Sequence, residues 1–220
     1  MIPAAFKALG DLLSSDFRSV LLKAIAMALA LFAAILVGVE IVLSHLSSIP
    51  WAWAETLAAI GTGLVLAVAF FFMMSPVVAI FAGFFLDNIA ARVEQRHYPQ
   101  DAVGTPLSGY RAMTTSLQFA VLVLLVNLAA LPLIFTGVGA AALVTINAYL
   151  LSREYFEMIA MRHLPVADAR LLRRHNAPSI FVAGFIPALL SLVPIVNLVV
   201  PLFATSYFVH IFKRVPASSP

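Results

Sequence analysis

The sequence predicts an all-α membrane protein with an N-terminal amphipathic helix, two transmembrane helices and two half-penetrating (re-entrant) helical hairpins. Only 10% of its 220 residues are charged and 63% are hydrophobic. Soluble domains carry roughly 25% charged residues, so soluble and disordered chains are excluded. Residues 24–39, 56–86, 112–152 and 176–212 contain no Asp, Glu, Lys or Arg. Long uncharged apolar stretches of this kind are typical of membrane-embedded segments.

The first predicted element is an interfacial helix over residues 1–17 of a single integral membrane domain, residues 1–220. Its apolar side chains recur at helical spacing on one face, with Lys7 and Asp11 off that face. The apolar residues are Ile2, Phe6, Leu9 and Leu13. This pattern indicates a short helix lying in the plane of the lipid headgroups.

Two full spans follow. Residues 20–43 form the first, which at 1.5 Å per residue reaches about 36 Å and is long enough to cross a bilayer. Residues 57–76 form the second, and we expect Pro76 to kink or restart the helix. Residues 79–97 are then amphipathic, with Ile89 and Val93 on one face. This extension is predicted to leave the membrane.

Two apolar hairpins, residues 112–152 and 176–212, make up the C-terminal half. If Arg153 lies at the interface, Gly139 at the tip of the first hairpin is about 21 Å deeper, short of the roughly 30 Å hydrocarbon core. The uncharged tips favour hairpins that enter and return. Non-helical backbone at membrane depth has to be sheltered by protein, which favours a homo-oligomer. Six full crossings are the alternative.

The basic residues predict the orientation. If each hairpin returns to the side on which it began, all 13 Lys and Arg residues lie on one side of the membrane. The positive-inside rule then places both termini in the cytoplasm.

Sequence motifs of enzymes are absent. There is no nucleophile elbow, zinc-protease motif, P-loop or dinucleotide-binding fingerprint. The chain has no cysteine, and its five histidines are scattered without metal-ligand spacing. We therefore expect no enzymatic activity, no cofactor and no metal site, and nothing in the sequence indicates a nucleic-acid partner.

Arg18 is the most informative charge. It stands at the start of the first span, where a guanidinium and free backbone N–H groups together suit a small anion. Bidentate hydrogen bonding matches the oxygens of a tetrahedral dianion such as sulfate. The alternative interpretation is that Arg18 and Lys23 only extend toward the lipid headgroups.

Other polar residues have mainly structural interpretations. Arg153 and Glu157 are an i,i+4 pair of the kind found on solvated helix faces. Asn197, at the tip of the second hairpin, suits an interhelical hydrogen bond. The arginines of residues 170–174 suit contact with anionic lipid headgroups of the bilayer.

Four motifs in order along nearly the whole chain resemble one family, the CysZ-type sulfate permeases, which belong with the etoposide-induced protein family. The motifs are F-R-x-V-L at Phe17–Leu21; Pro76 followed by Leu86-Asp87-Asn88 and Arg92; Arg153-Glu154-Tyr155-Phe156-Glu157; and Pro194-x-x-Asn197-Leu198 followed by Pro201 and Ala204-Thr205.

The resemblance implies a bacterial inner-membrane protein that takes up sulfate for cysteine biosynthesis, with two spans, two half-penetrating hairpins and a homo-oligomeric state. The family binds sulfate through an arginine pair before the first span. Arg18 matches one member, Ser19 stands at the other and Phe17 precedes them. Asp87 and Arg92 match positions for which a pore-entrance or structural role is implied.

Two functional classes follow from these observations. The first is a channel or permease for sulfate or a related small anion, with Arg18 in its binding region. The second is a non-transporting membrane scaffold or assembly factor that holds partners through its amphipathic segments. The membrane-deep Gly/Pro tips favour the first class, and Ser19 in place of a second arginine favours the other.

Overall fold

A computed structural model describes residues 1–46, 52–130, 132 and 136–215, and all regular structure among these residues is helical. The described residues form ten helices in chain order: α1 Ile2–Leu12, α2 Ser15–Leu46, α3 Ala52–Gly83, α4 Leu86–His97, α5 Gly109–Ala130, α6 Gly139–Ala160, α7 Val166–His175, α8 Ala177–Leu190, α9 Pro194–Asn197 and α10 Val200–Phe212.

The interfacial helix is shorter than predicted, and the first span begins earlier. After α1 ends at Leu12, the chain makes a tight turn and α2 begins at Ser15. Asp16 lies in the first turn of α2, where a negative charge is favoured by the helix dipole. Consequently Phe17, Arg18 and Ser19 belong to the first turn of α2 and do not form part of the connection before it.

The second long helix does not restart at Pro76. Helix α3 continues unbroken through this position to Gly83, and the chain breaks instead at residues 84–85, before α4. Proline is tolerated within membrane helices because neighbouring groups satisfy the carbonyl that it leaves unpaired. The predicted extension over residues 79–97 is thus divided between the end of α3 and α4.

Helices α2 and α3 pack against each other and expose long apolar surfaces. Within the described side chains, Ser15–Val42 of α2 is the one segment long and apolar enough to cross a membrane, and only 17% of its most apolar window is buried. A core helix of a soluble protein would be mostly buried. Leu29, Ile35 and Ile41 on α2 and Leu64 on α3 are among the exposed residues. This surface is that of a membrane protein.

The centre of the molecule is α10. Every residue from Val200 to Ile211 is buried, and the helix contacts α1, α4, α6 and α8. Its length of 13 residues corresponds to about 20 Å, and the 14 residues of α8 to about 21 Å. Both are shorter than the roughly 30 Å hydrocarbon core. The lengths of α8 and α10 therefore suit arms that enter the membrane without crossing it, whereas α5 and α6, with 22 residues or about 33 Å each, are long enough to cross.

The hairpin arms α6 and α8 pack most closely at Gly184. A Cβ atom built on Gly184 would lie 2.1 Å from the carbonyl oxygen of Ala148 and 2.7 Å from Cβ of Ser152. Only a hydrogen fits between these two backbones, so glycine is required at this crossing.

Candidate functional site

A polar pocket opens where α1, the start of α2 and α4 meet. Its volume is about 780 Å³. The lining residues include four charged side chains, Asp11, Asp16, Arg92 and Arg96, together with Ser14, Ser15, Phe17, Val93 and Gln95. A mixed lining of this kind can bind a small charged solute, because hydroxyl, amide and guanidinium donors converge on one space.

Helix α4 provides the cationic side of the pocket. Its inner face is apolar as predicted, since Ile89 and Val93 are buried. On the face that lines the pocket, Arg92 and Arg96 are one helical turn apart. Arg92 donates a hydrogen bond to Asp16, but both side chains of this pair are about half exposed. Exposed pairs contribute only about 0–1 kcal/mol, so Arg92 can exchange this carboxylate for another anion at little cost.

The three residues predicted to bind an anion differ in whether they line the polar pocket. Phe17 is buried and lines the pocket. Arg18 and Ser19 are exposed, and neither is part of the lining. The Ser19 hydroxyl donates to the backbone carbonyl of Asp16 at 2.9 Å. Toward the rest of the described chain, the exposed Arg18 side chain makes no salt bridge, so its guanidinium is free to bind an anion.

A buried ion network lies behind α4, and Asp87 belongs to it. Arg162 is only 4% exposed and Glu94 only 1%. One Nη atom of Arg162 donates to Asp87 at 2.7 Å, and the other lies 3.4 Å from Glu94 and donates to the Gly104 carbonyl at 2.8 Å. This contact joins Asp87, at the start of α4, to Arg162, just beyond the end of α6.

Glu94 is the acidic centre of this network. It accepts hydrogen bonds from the Gly104 N–H at 2.9 Å and lies 2.9 Å from Nε2 of His163. Burial alone would raise the pKa of Glu94, but the contacts with His163 and Gly104 and the charge of Arg162 together lower it. Glu94 thus stays ionised, which keeps Arg162 paired.

Glu157 is not on a solvated face, contrary to the expectation for the Arg153–Glu157 pair. Its side chain is buried because α7 packs over the end of α6. Arg173 donates to Glu157 at 2.6 Å, while Arg153 and Arg170 lie 3.5 and 3.8 Å from it. Two of the arginines predicted to contact lipid are therefore at least partly engaged within the protein.

Asn197 is the last residue of α9, at the tip between α8 and α10, and it is partly buried. It lies far along the chain from the residues of the polar pocket and does not line it. The structure thus separates the hairpin tip from the anion-binding candidates.

Sequence reasoning missed Arg96 and Gln95 as pocket residues. The i,i+4 spacing of Arg92 and Arg96 indicates that they share a helix face, but only the folded structure shows that this face of α4 meets the start of α2. Sequence reasoning also missed a cluster of Asp11, His97 and His210, since these residues are far apart in the sequence.

The comparisons with known proteins agree with the resemblance noted in the sequence. No curated protein matches the chain. The family model described as sulfate transporter CysZ/etoposide-induced protein 2.4 matches residues 4–201. This match covers nine-tenths of the chain and includes α1 through the start of α10. The chain belongs to the CysZ/etoposide-induced protein 2.4 family.

Proposed function

We propose that this protein carries sulfate, or a related small anion, across a membrane, and that the anion binds at the polar pocket. Membership of a sulfate transporter family supports the substrate class. The observation that carries the site is the convergence of Arg92 and Arg96 on the start of α2, where Arg18 follows the lining residue Phe17 in the sequence. These α4 arginines compensate for Ser19, which occupies the position of the family's second arginine.

The binding mode follows from the exposed Arg92–Asp16 pair. An arriving dianion displaces the Asp16 carboxylate from Arg92 and recruits the guanidinium of Arg18. Its remaining oxygens accept hydrogen bonds from Ser14, Ser15 and Gln95, which line the same space. Charge-assisted hydrogen bonds of this type each contribute about 1.5–3 kcal/mol. Loss of one arginine should therefore weaken binding by at least about tenfold.

The test is uptake of labelled sulfate into liposomes that contain the purified protein. Arg92→Gln and Arg18→Ala are each expected to raise the half-saturating sulfate concentration by about ten- to a hundredfold. Arg174→Gln is the matched control, since Arg174 is exposed at the end of α7 and makes no salt bridge with any described residue. Its uptake should equal that of the unmodified protein.

Three outcomes are informative. Uptake that is insensitive to Arg92→Gln and Arg18→Ala would support transport but contradict binding of the anion at the polar pocket. No uptake above empty liposomes, from protein shown by circular dichroism to be folded and by light scattering to be homo-oligomeric, would contradict transport and leave the scaffold function. A monomeric mass in the same measurement would contradict the proposed homo-oligomer.

We propose further that both termini face the cytoplasm of a bacterial inner membrane. Support comes from the ion pairs, which join α1, α2, α4, α10 and the residues just after α6. Because the chain contains no cysteine, single cysteines report topology cleanly. In intact cells, an impermeant thiol reagent should modify Ser48→Cys, between α2 and α3, and leave Gly10→Cys unmodified; the reverse labelling would contradict this orientation.

A further inference from the structure

One carboxylate and two imidazoles from three different helices meet beneath α1. They belong to Asp11 of α1, His97 at the end of α4 and His210 of α10. One oxygen of Asp11 lies 2.9 Å from Nε2 of His97, and the other lies 3.6 Å from Nε2 of His210. The three ligand atoms are all within 4.8 Å of one another.

His210 is the feature that requires an explanation. Its side chain is fully buried, and its Nε2 has no hydrogen-bond partner within the described chain. The other ring nitrogen, Nδ1, lies 2.9 Å from the Tyr98 hydroxyl. Buried polar atoms are almost always hydrogen-bonded, so a buried nitrogen aimed at a carboxylate without bonding to it indicates an additional ligand between them.

We propose that Asp11, His97 and His210 bind one divalent transition-metal ion, with Zn²⁺ as the best match. Zn²⁺ takes imidazole nitrogens and carboxylate oxygens at about 2.0–2.2 Å, and three protein ligands leave its fourth position to water. Tetrahedral coordination at that length separates neighbouring ligand atoms by about 3.3 Å. Each imidazole nitrogen lies within about 0.4 Å of this separation from one of the two Asp11 oxygens: Nε2 of His97 is 2.9 Å from the first and Nε2 of His210 is 3.6 Å from the second.

The surrounding contacts are those of ligands held in place. Tyr98 bonds to the nitrogen of His210 that faces away from the proposed ion, which fixes the ring orientation and leaves Nε2 free to coordinate. The Ser206 hydroxyl donates to Asp11 at 2.7 Å.

Cationic neighbours set the strength of the site. Arg96 lies 3.6 Å from Asp11, but its side chain is 60% exposed and can turn into solvent. The ammonium groups of Lys7 and Lys213 lie 5.9 and 5.7 Å from the ring centre of Tyr98, and Lys213 is paired with Asp101. Binding thus depends on coordination bonds, which favours an imidazole-seeking metal over Ca²⁺ or Mg²⁺.

The test is metal binding by the purified full-length protein after treatment with a chelator. Titration with Co²⁺ should give the visible absorption of tetrahedral cobalt at one ion per chain, and Zn²⁺ should displace it and raise the unfolding temperature. His97→Asn should weaken binding by more than about a hundredfold, because loss of a direct ligand exceeds the 10–100-fold effect of a residue that only orients one. His175→Asn is the matched control, as His175 is exposed at the end of α7, and it should bind normally.

Tyr98→Phe keeps all three ligands and removes the hydrogen bond to His210, so it should weaken binding by about 10–100-fold. Gel filtration and circular dichroism establish that each variant is folded. No metal binding by the unmodified protein, or equal loss in His97→Asn and His175→Asn, would overturn the proposal. The inference is independent of sulfate transport, since neither measurement uses it.

Discussion

Replacing Arg162 by leucine is expected to lower the free energy of unfolding by about 3–5 kcal/mol, because it leaves a buried carboxylate without its cationic partner. Glu94 is 1% exposed and would retain only His163 and the Gly104 N–H. The carbonyl of Gly104 would lose its donor as well. Reversible unfolding in detergent micelles, followed by circular dichroism, measures the effect.

Two further variants test whether the unpaired Glu94 carboxylate causes the destabilisation by Arg162→Leu. Arg174→Leu removes an exposed arginine and should change the free energy of unfolding by no more than about 0.5 kcal/mol. Adding Glu94→Gln to Arg162→Leu removes the buried, unpaired carboxylate charge and should restore part of the free energy of unfolding. If the double variant is less stable than Arg162→Leu by the full effect of Glu94→Gln alone, the two residues are not coupled and this explanation is wrong.

Gly184→Ala is expected to destabilise the protein by about 2–3 kcal/mol, in the range of overpacked cores. The added methyl group would lie 2.1 Å from the carbonyl oxygen of Ala148. The Ala148 oxygen belongs to the helix backbone and the position of a Cβ atom is fixed by its own backbone, so neither can rotate away, and α6 and α8 must separate. The same unfolding measurement, in the same detergent, reports the loss.

Gly63→Ala is the matched control for this contact. Gly63 also lies inside a long apolar helix, but a Cβ atom there meets no atom of the described residues within 4 Å. Since alanine is the better helix former by about 1 kcal/mol, Gly63→Ala should leave stability unchanged or raise it. Equal destabilisation by the two variants would show that helix flexibility, and not the α6–α8 contact, determines the cost.

Composition and periodicity predicted the membrane class and several local features, because both are properties of neighbouring residues. The charge-free windows predicted a helical membrane protein, and the spacing of Ile89 and Val93 predicted the buried face of α4. The unbroken passage of α3 through Pro76 was not predictable in this way. Whether a proline ends a helix depends on what its neighbours offer the unpaired carbonyl.

The candidate site was only partly predictable. Phe17 and Arg92, which line the pocket, could be named from the sequence because they belong to family motifs, whereas Arg18, also named, is not part of the lining. The contribution of Arg96 and the pairing of Arg92 with Asp16 could not be predicted, since both depend on α4 folding back against α2 across 76 residues, the separation of Arg92 and Asp16. The burial of Glu157 was likewise decided by α7, which packs over it from outside its own helix.

The contact between Asp11 and Ser206 joins residues 195 positions apart, and it has a consequence for the order of synthesis. A growing chain cannot complete the polar end of the molecule until residue 206 has been made. Until then α1 has no α10 to pack against, and its buried face, with Ala4 and Ala8, has no partner. The opposite face exposes Ile2, Phe6 and Leu9, which can rest in the lipid headgroups from the beginning. The bilayer thereby holds the first helix in position for the last one.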